Sequence, residues 1–498
     1  MVFREKWADF FFRGADYNSA MNRERFAWTV SVILILFLAF EIPGSMAERD
    51  DDYSFVRTLV DIHRQVSANY VEPVDEDKLR QGAIDGMLGQ LDPFTDYIPP
   101  VHQEEFENML EGSFRGVGIQ LNQRPDRQIE VVTPIDNSPA FHAGIMAGDI
   151  IQKVDGESIE GLRLDEVSKR ISGPVGTKVS LTVKHANGKE ATLSITREEV
   201  IVPTVNGYDR NPDNSWNYWV TENPKIAYVQ ITQFTPGTYD KIHDALTSLL
   251  GNGMRGLILD LRFNPGGRLD EAERIVNMFV KPGSVIVSTK GRNRPERIEY
   301  ADGKDTLPNF PLIVLINEHS ASASEIVSGS LLDNHRALVI GQRSYGKGSV
   351  QEVMPLEDKS GELKLTVAYY YLPSGRLVHR KKDATDWGVD PQIVVPVDAD
   401  GEDRILRAMS ERGLFHRPTT STTTRPTTTV ATTSTQPTDP QLQQAITTMI
   451  GLVVLEGEAA APAPSRIEKP VTQSVQELST QPTSEPSTEP ATAPTTQE

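Results

Sequence analysis

The feature that most constrains the fold of this chain is an alternation of apolar runs and amphipathic segments between about residues 226 and 396. The apolar runs have the length of buried strands, and helical patterns separate several of them. The strand candidates read "KIAYVQI", "GLILDL", "SVIVST", "PLIVLIN" and "ALVIG", and the helix candidates read "TYDKIHDALTSLLGNG" and "LDEAERIVNMFV". Strands joined through helices form βαβ crossovers, so the alternation predicts an α/β core on a largely parallel sheet.

Two segments with different hydrophobic patterns precede this core. Residues 52–111 carry apolar side chains at helical spacing and are predicted to form an N-terminal helical segment. Residues 112–199 consist of short strand-like runs separated by turns such as "ANGK", which predicts a small β domain. The α/β core is assigned to residues 200–416.

Low-complexity sequence separates one last helix from the core. Residues 417–437 are rich in Thr and Pro, cannot bury a core, and are predicted to be a disordered linker. Residues 438–456 are predicted to form an isolated amphipathic helix, and residues 457–498 a disordered tail.

An apolar run near the N-terminus indicates export. Residues 26–40 read "FAWTVSVILILFLAF", with two arginines just before the run and acidic residues after it, an asymmetry that leaves the N-terminus in the cytoplasm. The run is short for a span of about 20 residues, and "SMA" at 45–47 would serve as a cleavage site. Residues 1–47 are thus a cleaved signal peptide or an uncleaved anchor. We expect a periplasmic or otherwise extracytoplasmic protein, held at the inner membrane only through residues 26–42 if uncleaved.

Composition excludes several classes of function. The formal net charge of −19 argues against nucleic acid as a partner, because a phosphate backbone would be repelled. The chain has no cysteine, which excludes thiolate metal sites, a cysteine nucleophile and disulfides.

The stretch "GQRSYGKGSVQ" at residues 341–351 suggests two motifs that it does not satisfy. A phosphate-binding loop would have Ser or Thr after Lys347 and lead into a helix, whereas Gly348 follows and the next residues favour strands. A Ser-x-x-Lys motif would place Ser344 and Lys347 on one helical turn, which the glycines flanking Lys347 disfavour. Neither motif accounts for Lys347, and serines elsewhere in the chain remain to be considered as its partner.

A strand-to-helix turn supplies candidate serines. The apolar strand at residues 311–316 ends in a turn, and a helix begins within "SASASE" at residues 320–325. A serine at such a turn is exposed at the edge of the sheet, and N–H groups at the helix start can stabilise an oxyanion. Serines at a helix start are also common as caps, so the local pattern leaves both interpretations open.

Across roughly residues 53–398 the chain resembles the C-terminal processing peptidases, or tail-specific proteases. The matching motifs are "QGAIDGMLGQLDPFTDYI", "FRGVGIQL" with "SPAFHAGIMAGDIIQKVDG", "LDLRFNPGGRLDEA" and "NEHSASASEIVSGSLLDNHRALVIGQRSYGKGSVQ", in that order. The resemblance implies a crotonase-like α/β protease core, an N-terminal helical segment and an inserted PDZ domain. It implies no metal and no other cofactor.

The resemblance also implies the catalytic residues, with Ser322 as nucleophile, Lys347 as general base and Gln351 orienting the lysine. The oxyanion hole would combine the N–H of Ala323 with that of Gly266 or Gly267, which the motif does not distinguish. For Lys347 to act as a base, its pKa must fall from the usual value of about 10.4 to about 7–8 by burial. His319 is expected to be an exposed turn residue.

The PDZ-like segment implies recognition of substrate C-termini, with Gly116, Val117, Gly118 and Ile119 at the binding edge. The expected function is an exported serine endopeptidase that acts on proteins with exposed, apolar C-termini, with room for an adaptor or activating partner. The alternative is a catalytically inactive PDZ scaffold. We further expect that deleting residues 417–498 leaves the chemistry intact, because no implied catalytic residue lies there.

Overall fold

The computed structural model describes residues 28, 30–32, 54–185, 187–414 and 439–460, with side chains up to 456 in the last range. The chain divides into two units. The first consists of Met1–Glu111, Thr289–Arg297 and Gly348–Tyr370, and the second of Gly112–Ser288, Ile298–Lys347 and Tyr371–Glu498.

The long helices and the short helical turns of the described residues have the following bounds. They are α1 (54–69), α2 (Glu76–Leu88), α3 (Pro100–Glu111), α4 (Pro139–His142), α5 (Leu164–Ile171), α6 (Thr238–Gly251), α7 (Leu269–Asn277), α8 (Ala323–Asp333), α9 (Ala399–Gly413) and α10 (Pro440–Ala460).

The strands begin in the N-terminal region and continue to the end of the core. They are β1 (Asp96–Ile98), β2 (Ser113–Gly116), β3 (Ile119–Gln123), β4 (Ile129–Pro134), β5 (Ile150–Val154), β6 (Glu157–Ser158), β7 (Lys178–Lys184), β8 (Glu190–Thr196), β9 (Glu198–Ile201), β10 (Val205–Asn206), β11 (Asp209–Arg210), β12 (Trp216–Asn217), β13 (Trp219–Glu222), β14 (Lys225–Ile231), β15 (Gly256–Asp260), β16 (Val285–Gly291), β17 (Arg294–Tyr300), β18 (Leu312–Ile316), β19 (Leu338–Gly341), β20 (Ser349–Pro355), β21 (Glu362–Tyr371) and β22 (Ile393–Val394).

A largely parallel sheet forms the centre of the second unit, as the sequence predicts. Its order is β10-β14-β15-β18-β19-β22, with β13 also paired to β14. The pairs from β14 to β22 are all parallel, whereas β10 and β13 run antiparallel to β14. Every residue of β15 and β18 is buried, which explains their unbroken apolar sequence. The α/β core is confirmed.

One predicted strand lies outside this parallel sheet. The run "SVIVST" forms part of β16, which belongs to a separate sheet of order β1-β21-β16-β17 with β20 paired to β21. In β16 buried and half-buried positions are mixed, unlike the fully buried β15. A short apolar run predicts a strand but does not specify which strand it pairs with. The local sequence therefore could not show that this strand belongs to a second sheet.

The C-terminal helix α10 packs on the core sheet. Its inward side chains, which recur at helical spacing, are Leu442, Ala445, Met449 and Val453. They form one buried cluster with side chains of four core strands, including Ile226, Ile258, Ile313 and Ile340. Burying one large apolar side chain stabilises a fold by about 1.5–3 kcal/mol. The last helix is therefore not isolated, as the sequence predicted, because it contributes part of the hydrophobic core. This packing argues against the expectation that deleting residues 417–498 leaves the catalytic chemistry intact, which stays a prediction.

Residues 113–201 form a separate β domain within the second unit. Its main sheet has the order β3-β4-β5-β7-β8, with β6 beside β5, and all of its pairs are antiparallel. Strands β2 and β9 pair with each other, so the two ends of the domain lie together. Such adjacent ends are what insertion of a domain into another chain requires.

The helices of the first unit are superficial. Neither α2 nor α3 contains a buried residue. Several apolar side chains of α1 are more than half exposed, among them Phe55 at 57% and Ile62 at 56%. This confirms an N-terminal helical segment but not a hydrophobic core of its own.

Several sequence predictions lie outside the described residues. They are the signal peptide or anchor, apart from residues 28 and 30–32, the Thr/Pro-rich linker and the C-terminal tail. Among the residues that the structure does describe, no helix is long and apolar enough to cross a membrane.

Candidate active site

Ser322 lies at the turn between β18 and α8, with backbone angles φ 56° and ψ −116°. A residue that only caps a helix usually has extended backbone angles, and a positive φ in a non-glycine residue is strained. Strain of this kind concentrates at functional sites, so the conformation favours the nucleophile over the simple cap. The side chain of Ser322 is half-buried and accessible.

The turn before Ser322 is held by hydrogen bonds within the turn and to the segment that follows β15. The Ser320 hydroxyl accepts from Asn317 N–H at 3.0 Å and donates to Leu261 O at 2.8 Å. The Ala321 N–H donates to Asn264 O at 3.0 Å. These bonds fix the turn to the segment that follows β15, the segment that contains the glycines of the implied oxyanion hole.

The carboxylate of Glu325 brings Ser322 and Lys347 together. Its Oε2 accepts the backbone N–H of Ser322 and the backbone N–H of Lys347, each at 2.8 Å. Its Oε1 accepts the Gly346 N–H at 2.7 Å and the Ser344 hydroxyl at 2.6 Å. One buried side chain of the α8 first turn therefore joins the serine turn to the lysine loop.

Burial raises the pKa of Glu325 above its usual value, while the hydrogen bonds from Ser344, Gly346, Ser322 and Lys347 act in the opposite direction. Four donors satisfy both oxygens of the carboxylate, which offsets the cost of removing it from water. This residue was not predicted from the sequence. Its signal was the Glu three positions after Ser322, the spacing of a capping box.

The lysine loop excludes both alternative motifs. Residues 343–348 belong to no helix and no strand, so Ser344 and Lys347 do not share a helical turn. The chain then enters β20 rather than a helix, unlike a phosphate-binding loop. The Ser344 hydroxyl is buried between Glu325 and the Val389 N–H. Rejection of the two motifs is confirmed.

Close packing positions the backbone next to Lys347. Gly346 has φ 92°, and a Cβ there would lie 2.6 Å from Trp387 and 2.8 Å from the Cβ of Arg380. The Gly346 carbonyl accepts the Arg380 N–H at 2.8 Å. The guanidiniums of Arg343 and Arg380 lie 4.5 and 4.4 Å from the Trp387 ring. Any side chain at position 346 would therefore clash with Trp387 or Arg380, so the residue before the half-buried Lys347 has to be glycine.

The two glycine candidates for the oxyanion hole differ in their hydrogen bonds. The Gly266 N–H is buried and donates to Asn264 Oδ1 at 2.8 Å. Gly267 is an exposed residue and its N–H donates to no acceptor among the described residues. The N–H of buried Ala323, at the start of α8, also donates to no acceptor there. A Cβ on Gly266 would lie 3.0 Å from the Ala323 nitrogen. The geometry therefore favours Gly267 over Gly266 as the donor, with Gly266 allowing the close approach.

A buried ionic network lies at the end of β15, shortly before Gly266 and Gly267 in the chain. Arg262 donates to Asp260 at 2.6 Å and to Asp439 at 2.8 and 2.9 Å. Arg262 and Asp260 are fully buried, and Tyr228 donates its hydroxyl to Asp260 at 2.8 Å. Asp439 precedes α10, so the network ties the last helix to the end of β15. These residues were not predicted from the sequence, because nothing local distinguishes them from ordinary surface charges.

Gln351 lies on β20 in the first unit. Its side-chain amide donates to Ser349 Oγ at 2.9 Å and to Thr366 Oγ1 at 3.2 Å. Its role in orienting Lys347 stays a prediction.

The four PDZ-edge residues lie where β2 leads into β3. The carbonyls of Val117 and Gly118 accept backbone N–H groups of Ala140 and Ile135. The N–H groups of Val117 and Gly118 donate to no acceptor within the described part of the chain. Ile119 begins β3, the terminal strand of its sheet, so one edge of β3 is open. An open edge beside unpaired N–H groups can bind an extended peptide.

Comparison with known proteins identifies three regions of the chain. Residues 225–395 match peptidase family S41, residues 130–185 match a PDZ domain, and residues 42–100 match the activating protease CtpB N-terminal domain. A solved structure of a photosystem II D1 C-terminal processing protease is 29% identical with a TM-score of 0.40, covering 71% of this chain and 92% of that one.

Two relatives match most of the chain. A carboxy-terminal-processing protease of Bartonella bacilliformis is 38% identical over 350 residues, 69% of this chain and 75% of the relative. The carboxy-terminal processing protease CtpA of Bacillus subtilis is 34% identical over 367 residues, 73% of this chain and 74% of the relative. Such relatives support an enzyme over an inactive scaffold. This chain belongs to the C-terminal processing protease family and is a serine-type peptidase.

Proposed function

We propose that this peptidase cleaves proteins with a Ser322–Lys347 dyad. The observation that carries the proposal is the shared acceptor: one oxygen of Glu325 receives the backbone N–H of both residues at 2.8 Å. A serine with a strained turn conformation and a half-buried lysine are thereby held side by side. A nucleophile adjacent to its base is the arrangement that covalent catalysis requires.

The steps follow from these positions. Neutral Lys347 takes the proton of the Ser322 hydroxyl as its oxygen attacks the scissile carbonyl. The negative charge on the carbonyl oxygen is stabilised by the N–H groups of Ala323 and Gly267, and the positive end of the α8 dipole adds to this. The protonated lysine gives its proton to the leaving amine as the peptide C–N bond breaks, and an acyl-enzyme remains on Ser322. Water then attacks the ester carbonyl with Lys347 as base, the bond to the Ser322 oxygen breaks, and the lysine returns the proton to that oxygen.

The PDZ domain is proposed to bind the substrate C-terminus. The peptide would add a strand to the open edge of β3, with its carboxylate on the N–H groups of Val117 and Gly118. Half-buried Ile119, Leu121 and Leu164 pack against the domain core and offer apolar surface beside this edge. Helix α5 packs near β3. These features support substrates with apolar C-termini.

We also propose that the protease acts outside the cytoplasm, on the strength of the apolar run at residues 26–40 and the charges that flank it. Fusing alkaline phosphatase, which is active only after export, behind residue 498 tests this. Phosphatase activity in intact cells is expected. Its absence, with the fusion protein present in the cytoplasm, would contradict export.

The dyad is tested with the full chain and an unstructured protein that ends in apolar residues. Ser322→Ala and Lys347→Ala should abolish cleavage. Ser248→Ala and Lys241→Ala, at exposed positions of α6, are matched controls that should cleave like the parent. Cleavage by Ser322→Ala would overturn the choice of nucleophile. Adding two aspartates to the substrate C-terminus should raise KM and leave kcat unchanged if the PDZ domain binds that end.

A further inference from the structure

Three side chains of types that can bind a metal ion lie close together beside the turn that precedes Ser322. They are Glu318 and His319, just before Ser320, and Glu402 on α9. One ligand atom from each lies within 4.8 Å of the other two. His319 Nε2 lies 3.2 Å from Glu402 Oε2 and 3.9 Å from Glu318 Oε1. The catalytic proposal uses none of these groups.

Two of the three ligands are held in place. The His319 ring stacks on Phe263 with centroids 5.6 Å apart and an interplanar angle of 21°. The His319 backbone N–H donates to Asn317 Oδ1 at 3.3 Å. The Glu402 side chain is only 14% exposed. A ligand whose orientation is already fixed loses little entropy when it binds an ion.

One carboxylate oxygen of the cluster is unsatisfied. Glu402 Oε1 is buried and has no hydrogen-bond partner among the described residues, although Oε2 of the same group faces His319. A buried carboxylate oxygen without a partner costs free energy, and a bound cation would compensate for it. With His319 neutral, the cluster carries two negative charges, which a divalent ion would neutralise.

We propose that Glu318, His319 and Glu402 form a binding site for a divalent transition-metal ion of the zinc type. An imidazole nitrogen with two carboxylates suits zinc, whereas magnesium and calcium prefer oxygen ligands alone. Two ligands on one tetrahedral zinc ion are about 3.3 Å apart, close to the present separation of His319 and Glu402. The side chain of Glu318 is 64% exposed and can rotate inward to complete the set, with water as the remaining ligand.

The site would connect the nucleophile turn to α9. Glu318 and His319 precede the Ser320 residue whose carbonyl accepts the Tyr345 N–H of the lysine loop at 3.0 Å. Glu402 lies 83 positions after His319 in the chain, on α9. A metal ion here cross-links the two segments and stabilises the folded state by its binding free energy. This inference does not depend on the proposed dyad.

Calorimetric titration of the full, chelator-treated chain with zinc chloride tests the site. We expect one ion per chain and a dissociation constant of about 10 μM or lower. His319→Ala and Glu402→Gln should each weaken binding by about tenfold or more. Magnesium chloride should not compete. The matched control is His243→Ala, which removes another histidine with a carboxylate neighbour, Asp244, at 3.9 Å and should bind like the parent.

Glu318→Gln keeps the test decisive if Glu402→Gln fails to fold, because Glu318 is exposed. X-ray absorption of the zinc-loaded protein should show one nitrogen of imidazole among oxygen ligands. Zinc should also raise the Tm of the parent but not of His319→Ala. The proposal is overturned if no binding occurs at zinc concentrations of about 100 μM, or if binding persists unchanged in both His319→Ala and Glu318→Gln.

Discussion

Arg262 and Asp439 are 177 positions apart in the chain and form a buried two-pronged ion pair, with Nη1 2.8 Å from Oδ1 and Nη2 2.9 Å from Oδ2. The guanidinium also binds Asp260, so one cation serves two carboxylates. Asp439 in addition accepts the Leu442 N–H as the cap of α10. The pair therefore fixes the start of the last helix to the strand end that leads into the loop of Gly266 and Gly267.

Arg262→Met should be strongly destabilising. It leaves Asp260 and Asp439 buried without their cation, which costs about 3–5 kcal/mol of unfolding free energy. Urea unfolding followed by circular dichroism measures the change. Asp240→Asn, which breaks an exposed pair with Arg274 at 3.1 Å, is the control and should cost less than about 1 kcal/mol. Equal costs for the two variants would show that the buried network does not stabilise the fold.

The stability of the protein should fall in acid partly through Asp439. Burial would raise the pKa of this carboxyl, but the charge and hydrogen bonds of Arg262 outweigh burial and lower it below the ordinary 3.8. Because the unfolded state then takes up the proton first, the contribution is present above about pH 4 and is lost as the pH falls toward the folded pKa. Unfolding free energies at pH 7, 5, 4 and 3 should decline less steeply for Asp439→Asn than for the parent. A steeper or unchanged decline would contradict this assignment.

Two truncations separate the roles of the C-terminal segments. Removing residues 439–498 uncovers the cluster around Ile226, Ile258 and Ile313 and should yield an aggregating, inactive protein. Removing only residues 461–498 keeps α10 and should preserve both solubility and peptidase activity. Gel filtration and a peptidase assay report the two outcomes. A soluble and active product of the longer truncation would show that α10 does not complete the core.

The parallel sheet was predictable because its signal is local. A strand such as β15 is buried along its whole length and is written as a continuous apolar run. The amphipathic period of α10 was equally visible, but the surface on which it packs was not. Docking depends on residues such as Ile226 that lie more than 200 positions away, and on the Arg262–Asp439 pair, and no local pattern encodes either.

The site shows the same division between local and long-range information. Ser322 and Lys347 were assigned through motifs, and the structure joins their backbones. Glu325 was not predicted because the sequence alone does not show whether a glutamate is exposed or is a buried hydrogen-bond acceptor. The choice between Gly266 and Gly267 likewise required the bond from Gly266 to Asn264, which only the fold provides.

Glu325→Gln should slow catalysis far more than it weakens substrate binding. An amide has one acceptor oxygen, so its NH2 group would face donors that now bind the carboxylate, and the Ser322 and Lys347 backbones would move apart. A displacement of about 1 Å can cost about a hundredfold in kcat. Steady-state kinetics should show that loss with KM changed little. Asp149→Asn is the matched control, since Asp149 is also a buried carboxylate that accepts a backbone N–H, that of Met146 at 2.9 Å, within the separate β domain of residues 113–201. Comparable kcat values for the two variants would remove Glu325 from the positioning of the dyad.

Gly266→Ala should abolish activity through steric contact at Ser322, the proposed nucleophile. The new Cβ would lie 2.6 Å from the Ser322 Cβ and 2.7 Å from the Ala321 carbonyl, at a backbone φ of 102°. The Ser322 turn and the loop of Gly266 and Gly267 would have to separate, which would break the proposed oxyanion hole, and loss of oxyanion stabilisation alone costs about 10²–10³ in kcat. Gly253→Ala is the control, because Gly253 has a similar φ of 85° but open space around it. The control should lose only about 1–2 kcal/mol of stability from backbone strain and keep its kcat. If Gly266→Ala cleaves substrate as fast as Gly253→Ala, the close approach of this loop to Ser322 is not required for the reaction.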